Sequence, residues 1–258
     1  MTRSEYSGQI VWVVGASSGI GAALATELAV RGAVLALSSR QQAELDKLQK
    51  SLGAEHKVFP LDVTDAGAVQ NTAHAIRAAF GRIDRVIIMA AAYLPMRLDA
   101  LDPDLCREMV EVNIIGALNL VHAVLPIFAA QAKSDRSRNA QIALCGSVAG
   151  YIGLPGGQPY SATKAAIINL AESLQSECAR TIDVKLINPG FVRTPLTAKN
   201  NFKMPMIIEP QQAAIEIADG LLTERFEIHF PKKFTRVLKL LRLLPYALSL
   251  RITKNFIG

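Results

Sequence analysis

Tyr160, Lys164 and Ser147 carry the side chains of a proton-transfer device. Tyr160 and Lys164 stand four residues apart in Tyr-Ser-Ala-Thr-Lys, a spacing that puts both on one face of a helix. Ser147 lies thirteen residues upstream and must arrive from another element. A tyrosine hydroxyl ionises near pH 10, too high for ready exchange at neutral pH, and an adjacent lysine cation lowers that value by favouring the phenolate. A tyrosine so tuned protonates a carbonyl oxygen or deprotonates an alcohol, while the serine hydroxyl donates to the same oxygen as negative charge gathers on it. Five-residue patterns of this kind also occur on ordinary amphipathic helices, so the pair needs support from the elements that position it.

The apolar run 10–14 leads into Gly15-Ala16-Ser17-Ser18-Gly19-Ile20-Gly21, and residues 22–31 then read as a helix. In a strand, glycine turn and helix, the glycines allow close backbone approach and the first helical amides attract phosphate. Three residues separate the first two glycines and one precedes the third, a departure from the general Gly-x-Gly-x-x-Gly fingerprint. Strand-like runs at 34–38, 57–61, 85–89, 141–146 and 184–188 alternate with helical stretches, and 226–230 offers a last short strand. The pattern predicts one α/β domain over 1–231, a Rossmann-like doubly wound parallel sheet with helices on both faces. With 258 residues, half of them hydrophobic, the chain has ample material for such a core. The polar run 133–139 predicts an exposed loop before the fifth strand.

Taken in order, Gly15 to Gly21, Asp62-Val63, Asn113, Ser147, Tyr160-Ser-Ala-Thr-Lys164 and Asn188-Pro-Gly-Phe-Val-Arg-Thr194 resemble the short-chain dehydrogenase/reductase (SDR) family, from about residue 9 to about residue 230. The resemblance implies that Ser147 orients the substrate oxygen, Tyr160 exchanges the proton, and Lys164 holds the nicotinamide ribose while lowering the tyrosine pKa. Asn113 matches the family asparagine that helps position a water linking the lysine to solvent. By the same resemblance Asp62 and Val63 lie at the adenine. Ala90 follows the fourth strand, and Pro189, Gly190, Val192 and Thr194 line the nicotinamide end, with the Val192 backbone at the carboxamide and Thr194 near the phosphates. Read without the resemblance, Asn113 is a polar residue inside a helix and Asp62 a helix N-cap. One stretch departs from the family: Ile88-Met89-Ala90-Ala91 stands where Asn-Asn-Ala-Gly is usual. The backbone support those asparagines give must be replaced or dispensed with.

Ser39 occupies the end of the second strand, where NAD-preferring members of the family commonly carry an acid, and Arg40 follows it. A carboxylate there bonds the adenosine ribose and repels an added phosphate, whereas arginine pairs with that phosphate. NADP(H) is therefore expected over NAD(H), although Ser18 stands where many NADP-dependent relatives have a second basic residue. Phe191, Met204, Met206 and Ile207 mark an apolar pocket for a carbonyl or secondary alcohol, Tyr93, Leu94 and Met96 its opposite wall, and residues 195–210 a lid. Cys106, Cys145, Cys178 and the four histidines show no metal-ligand spacing. Unpaired cysteines and a first strand reached within about ten residues predict a cytoplasmic protein, and the resemblance implies a homodimer or homotetramer. A regulatory or scaffold protein that keeps the fold and binds a dinucleotide with little turnover is the rival reading.

The tail, 232–258, is basic and leucine-rich. Seven of the 28 basic residues lie there with no acid among them, and without them the 22 acidic residues slightly outnumber the basic ones. On a helical wheel Phe234, Val237, Leu238, Leu241 and Leu244 gather opposite most of the charges. Such an amphipathic helix fits an anionic membrane surface, peripherally at the inner face, and equally a packing role on the protein's own core or a partner subunit. It is too short to span a bilayer before Pro245. Nucleic-acid binding is not expected, since the leucine stripe lacks interleaved aromatics.

Overall fold

The structure, a computed structural model, describes residues 4–134, 140–179 and 181–254. Beyond Lys133 and Ser134, the polar segment read as a loop lies outside the described residues. Seven strands, β1 (Ile10–Val14), β2 (Val34–Ser38), β3 (Lys57–Val58), β4 (Arg85–Ile88), β5 (Ala140–Cys145), β6 (Ile182–Pro189) and β7 (Glu227–Phe230), form one sheet in the order β3-β2-β1-β4-β5-β6-β7. Every adjacent pair is parallel. Chain order reverses between β1 and β4, and the carboxyl ends of strands at such a switch point are where open α/β sheets bind ligands.

Both faces of the sheet are covered, which is why β1 is apolar throughout and fully buried. Alternation decides which face each residue serves. Val11 and Val13 pack with Leu24 and Leu28 of α1 (Gly19–Val30) and Ile217 of the helix Pro210–Leu221. Trp12 and Val14 instead join the larger core under the helices Ala66–Phe80, Gly116–Ser134 and Tyr160–Cys178. In chain order the remaining helices are α2 (Gln42–Leu52), α3 (Ala66–Phe80), α4 (Pro103–Val110), α5 (Gly116–Ser134), α6 (Tyr160–Cys178), α7 (Pro210–Leu221), α8 (Lys232–Leu243) and α9 (Tyr246–Thr253). The third strand, Lys57–Val58, is shorter than the apolar run 57–61, which Pro60 interrupts on this edge strand. Even so, Phe59 and Leu61 still donate to the Leu37 and Ser39 carbonyls. The helix cap belongs to Asp65, whose carboxylate accepts from the Ala68 N–H at 2.9 Å, and not to Asp62, which closes a tight turn onto Thr64.

Helix α8 lies beside β7 and buries Thr235, Leu238 and Leu241, with Phe234 and Leu244 partly covered. Val237, placed on the same stripe by the wheel, is 58 % exposed. The core therefore takes one edge of the leucine stripe and leaves the other in solvent. The clamp is polar: Glu227 on β7 accepts from Lys239, from Tyr151 and, at 2.8 Å, from the Asn188 amide, and Thr235 bonds His229 at 2.6 Å. Burial raises the Glu227 pKa, but the hydrogen bonds from Lys239, Tyr151 and Asn188 outweigh it and hold the carboxyl below its usual value. A depressed folded-state pKa gives stability that is present above the ordinary glutamate value and lost as pH falls through the folded one. Amide exchange in α8 is therefore expected to accelerate below about pH 4, and Glu227→Gln to remove that pH dependence at a cost of about 1–3 kcal/mol.

Candidate active site

Chain reversal at β1 builds the first wall of the site. Gly15 turns the chain with φ +93°, and a Cβ there would come within 2.6 Å of the Ala90 backbone nitrogen, so the turn lies directly on the end of β4. Its amide and that of Ala16 both donate to the Ser38 carbonyl at the end of β2. Helix α1 begins inside the glycine turn, at Gly19 rather than after it, and Ser18 at its N-cap makes no side-chain hydrogen bond. No acidic residue occupies the first turn, which leaves the opening amides free for an anion. Thr194 sits over Gly19, in a turn closed by Thr197, whose hydroxyl accepts from the Thr194 N–H and donates to the Val192 carbonyl at 2.6 Å.

Beyond the end of β2, Ser39 accepts from the Gln41 N–H at 3.1 Å. Arg40, 62 % exposed, stands 4.0 Å from an Asp62 carboxylate oxygen, a loose contact in solvent. The Thr64 N–H holds the Asp62 carboxyl below its usual pKa, with the Thr64 hydroxyl and Arg40 adding to the effect against burial.

The catalytic candidates meet where β5, its following turn and α6 converge. Ser147 stands two residues beyond β5 and caps the turn Val148–Gly150, its oxygen accepting from the Ala149 N–H at 3.1 Å. Gly150 lets that turn press on α6: a Cβ would lie 2.7 Å from the Lys164 carbonyl carbon. Tyr160 is the first residue of α6 and Lys164 stands one turn later. The Lys164 ammonium donates to the Cys145 carbonyl at 2.8 Å and lies 5.5 Å from the centre of the Tyr160 ring.

Burial pushes the Tyr160 phenol well above its ordinary pKa, the Cys145 thiol and Tyr93 add to the rise, and only the Ser147 hydrogen bond opposes them. The net shift is opposite in direction to the one expected from a neighbouring lysine, and Lys164 is not among its causes. Lys164 is itself 2 % exposed, and burial drives its own pKa down, so desolvation is the largest influence on both groups.

Asn113 sits in a wide π turn, Glu111–Ile115, between α4 and α5. Its side-chain oxygen accepts from the Ala92 N–H at 2.7 Å, and its amide donates to the Ala92 carbonyl and to the Thr163 hydroxyl, each at 3.0 Å. The loop after β4, stripped of its asparagines, is thus held from the far side by one asparagine that also grips α6 next to Lys164. Opposite, the Tyr93 ring packs edge-on against Tyr160 with centroids 4.7 Å apart, and its hydroxyl bonds Asn200. Phe191 touches Phe202 and Phe234 at 5.8 and 5.6 Å, while Met96 is buried.

A cavity of about 300 Å³ runs from Arg40 past the glycine turn to Ser147 and Tyr160. Gly15, Ser17, Ser18, Gly19, Ile20, Gly21, Ser39, Arg40, Asp62, Val63, Ala90, Lys164, Pro189, Gly190, Val192 and Thr194 all line it. Asn113 does not, and acts on the site through Ala92 and Thr163. Among the described residues no group of three His, Cys, Asp or Glu could hold a metal.

A family model described as short chain dehydrogenase matches residues 9–204, well over half of the chain. The chain belongs to the short-chain dehydrogenase family. An uncharacterised oxidoreductase of Myxococcus xanthus is 32 % identical to this short-chain dehydrogenase, over 94 % of this chain and 95 % of the relative. The 3-oxoacyl-(acyl-carrier-protein) reductase of Escherichia coli is also 32 % identical, over 75 % and 77 % of the two chains. Among solved structures, a short-chain dehydrogenase from Burkholderia phymatum in complex with NAD superposes with a TM-score of 0.83 at 23 % identity, covering 92 % and 93 % of the two chains. An alcohol dehydrogenase from the archaeon Thermococcus sibiricus complexed with 5-hydroxy-NADP does so with 0.76 at 27 % identity, covering 86 % and 95 %. The protein is thus an oxidoreductase of a family that acts on CH–OH and C=O groups with a nicotinamide dinucleotide. The open α1 amides and the bare Gly15 turn fit that group. Three features of this short-chain dehydrogenase went unread in the sequence: the Cys145 carbonyl that anchors Lys164, the Tyr93–Asn200 tie and the Thr197 clasp. Each depends on a backbone group or a distant residue that leaves no local pattern.

Proposed function

We propose that the protein interconverts an apolar carbonyl compound and its secondary alcohol with NADP(H), with Tyr160 as proton donor or acceptor. The observation that carries this reading is the convergence of Ser147, Tyr160 and Lys164 on one cavity that continues to Arg40. A bound nicotinamide supplies a hydride to the carbonyl carbon, or takes it back from the alcohol. The Ser147 oxygen accepts from Ala149, and its one proton, turned to the Tyr160 oxygen in this structure, can be donated to a substrate oxygen placed between the two hydroxyls. In reduction the Tyr160 hydroxyl breaks its O–H bond and gives the proton to that oxygen, completing CH–OH and leaving a phenolate. The buried Lys164 ammonium, whose proton is held less tightly than that of an exposed lysine, stabilises this phenolate and stands ready to restore its proton. The Tyr93 ring, packed edge-on against Tyr160 at 4.7 Å, gives the reacting end an apolar neighbour.

The preference for NADP(H) rests on Ser39 and Arg40: no carboxylate ends β2, and the Arg40 guanidinium is held only loosely, by Asp62 at 4.0 Å. Arg40→Ala is expected to raise the KM for NADPH by about ten- to a hundredfold, the loss of one charge-assisted pair, with little change for NADH. Ser39→Asp is expected to reverse the preference; steady-state kinetics with both cofactors checks each. Exposed Val110 and Leu118 offer apolar ground for a homodimer or homotetramer, and three free cysteines suit a cytoplasmic protein. Turnover of a panel of apolar ketones and alcohols by the native chain tests the whole reading. Tight NADPH binding with no turnover across the panel would favour the regulatory dinucleotide-binding protein instead.

A further inference from the structure

We infer that the outer face of α8 and α9 is a docking surface for an anionic phospholipid bilayer, on which both helices lie in the plane of the membrane. Helix α9 is inverted relative to a surface helix of a soluble domain. It turns Ser249 and Thr253, 2 % and 3 % exposed, toward the body, while Tyr246, Leu248 and Leu250 are 83 %, 52 % and 57 % exposed. The two buried hydroxyls close onto carbonyls of their own helix, Tyr246 at 3.4 Å and Leu250 at 3.3 Å, so this seam gains nothing that would compensate for the apolar side chains left in water.

Helix α8 repeats the pattern on a second stripe. Leu238 and Leu241 satisfy the core, yet Val237, Leu240 and Leu243 follow one another at three-residue steps on the solvent side, Leu243 being 80 % exposed. Lys233 and Arg236, each four residues before Val237 and Leu240, extend the same stripe. Only Leu244 and Pro245 separate the two helices, which makes the exposed apolar surface nearly continuous along the chain.

Charge decides what covers it. The span 232–254 contains no acidic residue, and among the described residues Lys233, Arg236, Arg242, Arg251 and Lys254 form no ion pair. A second copy packed face to face would bring cation against cation. A partner that offers phosphate at its surface and hydrocarbon beneath satisfies both the lysines and the leucines. The 12 residues of α8 reach about 18 Å, short of a hydrocarbon core of about 30 Å, so the helix lies on the bilayer and does not cross it. None of these exposed side chains lines the catalytic cavity, and the inference stands apart from the proposed reaction.

The test is flotation of the full chain with vesicles of phosphatidylcholine alone or mixed with phosphatidylglycerol. Binding to the mixed vesicles, weak on the neutral ones and declining with salt, is the expected result. Lys233→Gln with Arg236→Gln is expected to weaken it by about fivefold per charge removed. Leu240→Glu with Leu243→Glu should abolish it without changing the melting temperature or turnover of a water-soluble carbonyl, since both side chains already face solvent. Should the glutamate pair misfold, the glutamine pair carries the test alone. Failure of the folded native chain to bind charged vesicles, or equal retention on both vesicle types, overturns the inference. So does a dimer in sedimentation velocity that Leu240→Glu splits, because a second copy is then the occupant.

Discussion

Tyr160→Phe is expected to lower kcat/KM by about 10²- to 10⁴-fold, the usual contribution of a positioned general acid or base, while dinucleotide affinity and melting temperature stay close to native. Phenylalanine keeps the ring that packs edge-on against Tyr93 at 4.7 Å and removes only the hydroxyl on which the proton transfer depends. The pH profile separates this role from a structural one. Burial keeps the phenol protonated through the neutral range, so reductive kcat/KM in the native enzyme should be flat from neutral into mildly alkaline pH. Oxidation needs the phenolate and should rise with pH across the same interval. The residual activity of Tyr160→Phe should lose that rise. Undiminished turnover in the variant, measured beside cofactor binding by fluorescence, would place the proton donor elsewhere.

The reach and the limit of the sequence follow from which interactions are local. The glycine turn and the alternation of strand and helix were legible because backbone conformation and burial on both sheet faces impose themselves on neighbouring residues. Ser147, Tyr160 and Lys164 were legible through their types and spacing, yet how they are tuned was not. Desolvation depends on what surrounds α6 in space, and it reverses the pKa shift that a lysine at i+4 implies for Tyr160. The tail shows the same boundary. A wheel computed for α8 alone gives one apolar stripe, whereas the sheet beside it accepts Leu238 and Leu241 and refuses Val237. Helix α9, resting on Ser249 and Thr253, has an orientation that no amphipathic pattern predicts. The altered stretch Ile88-Met89-Ala90-Ala91 belongs to this class too, since the sequence shows where it departs from the family pattern but not which residue holds the loop that follows it.

Asn113→Ala is expected to be the most damaging substitution outside the proton-transfer group, because that residue holds the loop after β4. Its three hydrogen bonds hold both the N–H and the C=O of Ala92 and the hydroxyl of Thr163, and it is 2 % exposed. Removing it leaves two part-buried backbone groups of Ala92 without their partner, at about 1–3 kcal/mol each, or about 2–6 kcal/mol in all. In a chain of this size that lowers the melting temperature by roughly 5–15 °C. Asn113→Asp is the discriminating variant. A carboxylate still accepts from the Ala92 N–H but donates nothing to the Ala92 carbonyl and faces it with like charge, so it should recover little of the loss. Thr163→Val removes only the link to α6 and should cost about 1 kcal/mol while leaving the Ala92 bonds in place. Because Asn113 positions the loop and does not line the cavity, kcat should fall in Asn113→Ala more than in Thr163→Val when both are assayed below their melting transitions. Equal kcat values would show that the loop after β4 holds its place without Asn113, and that the apolar Ile88-Met89 pair suffices there.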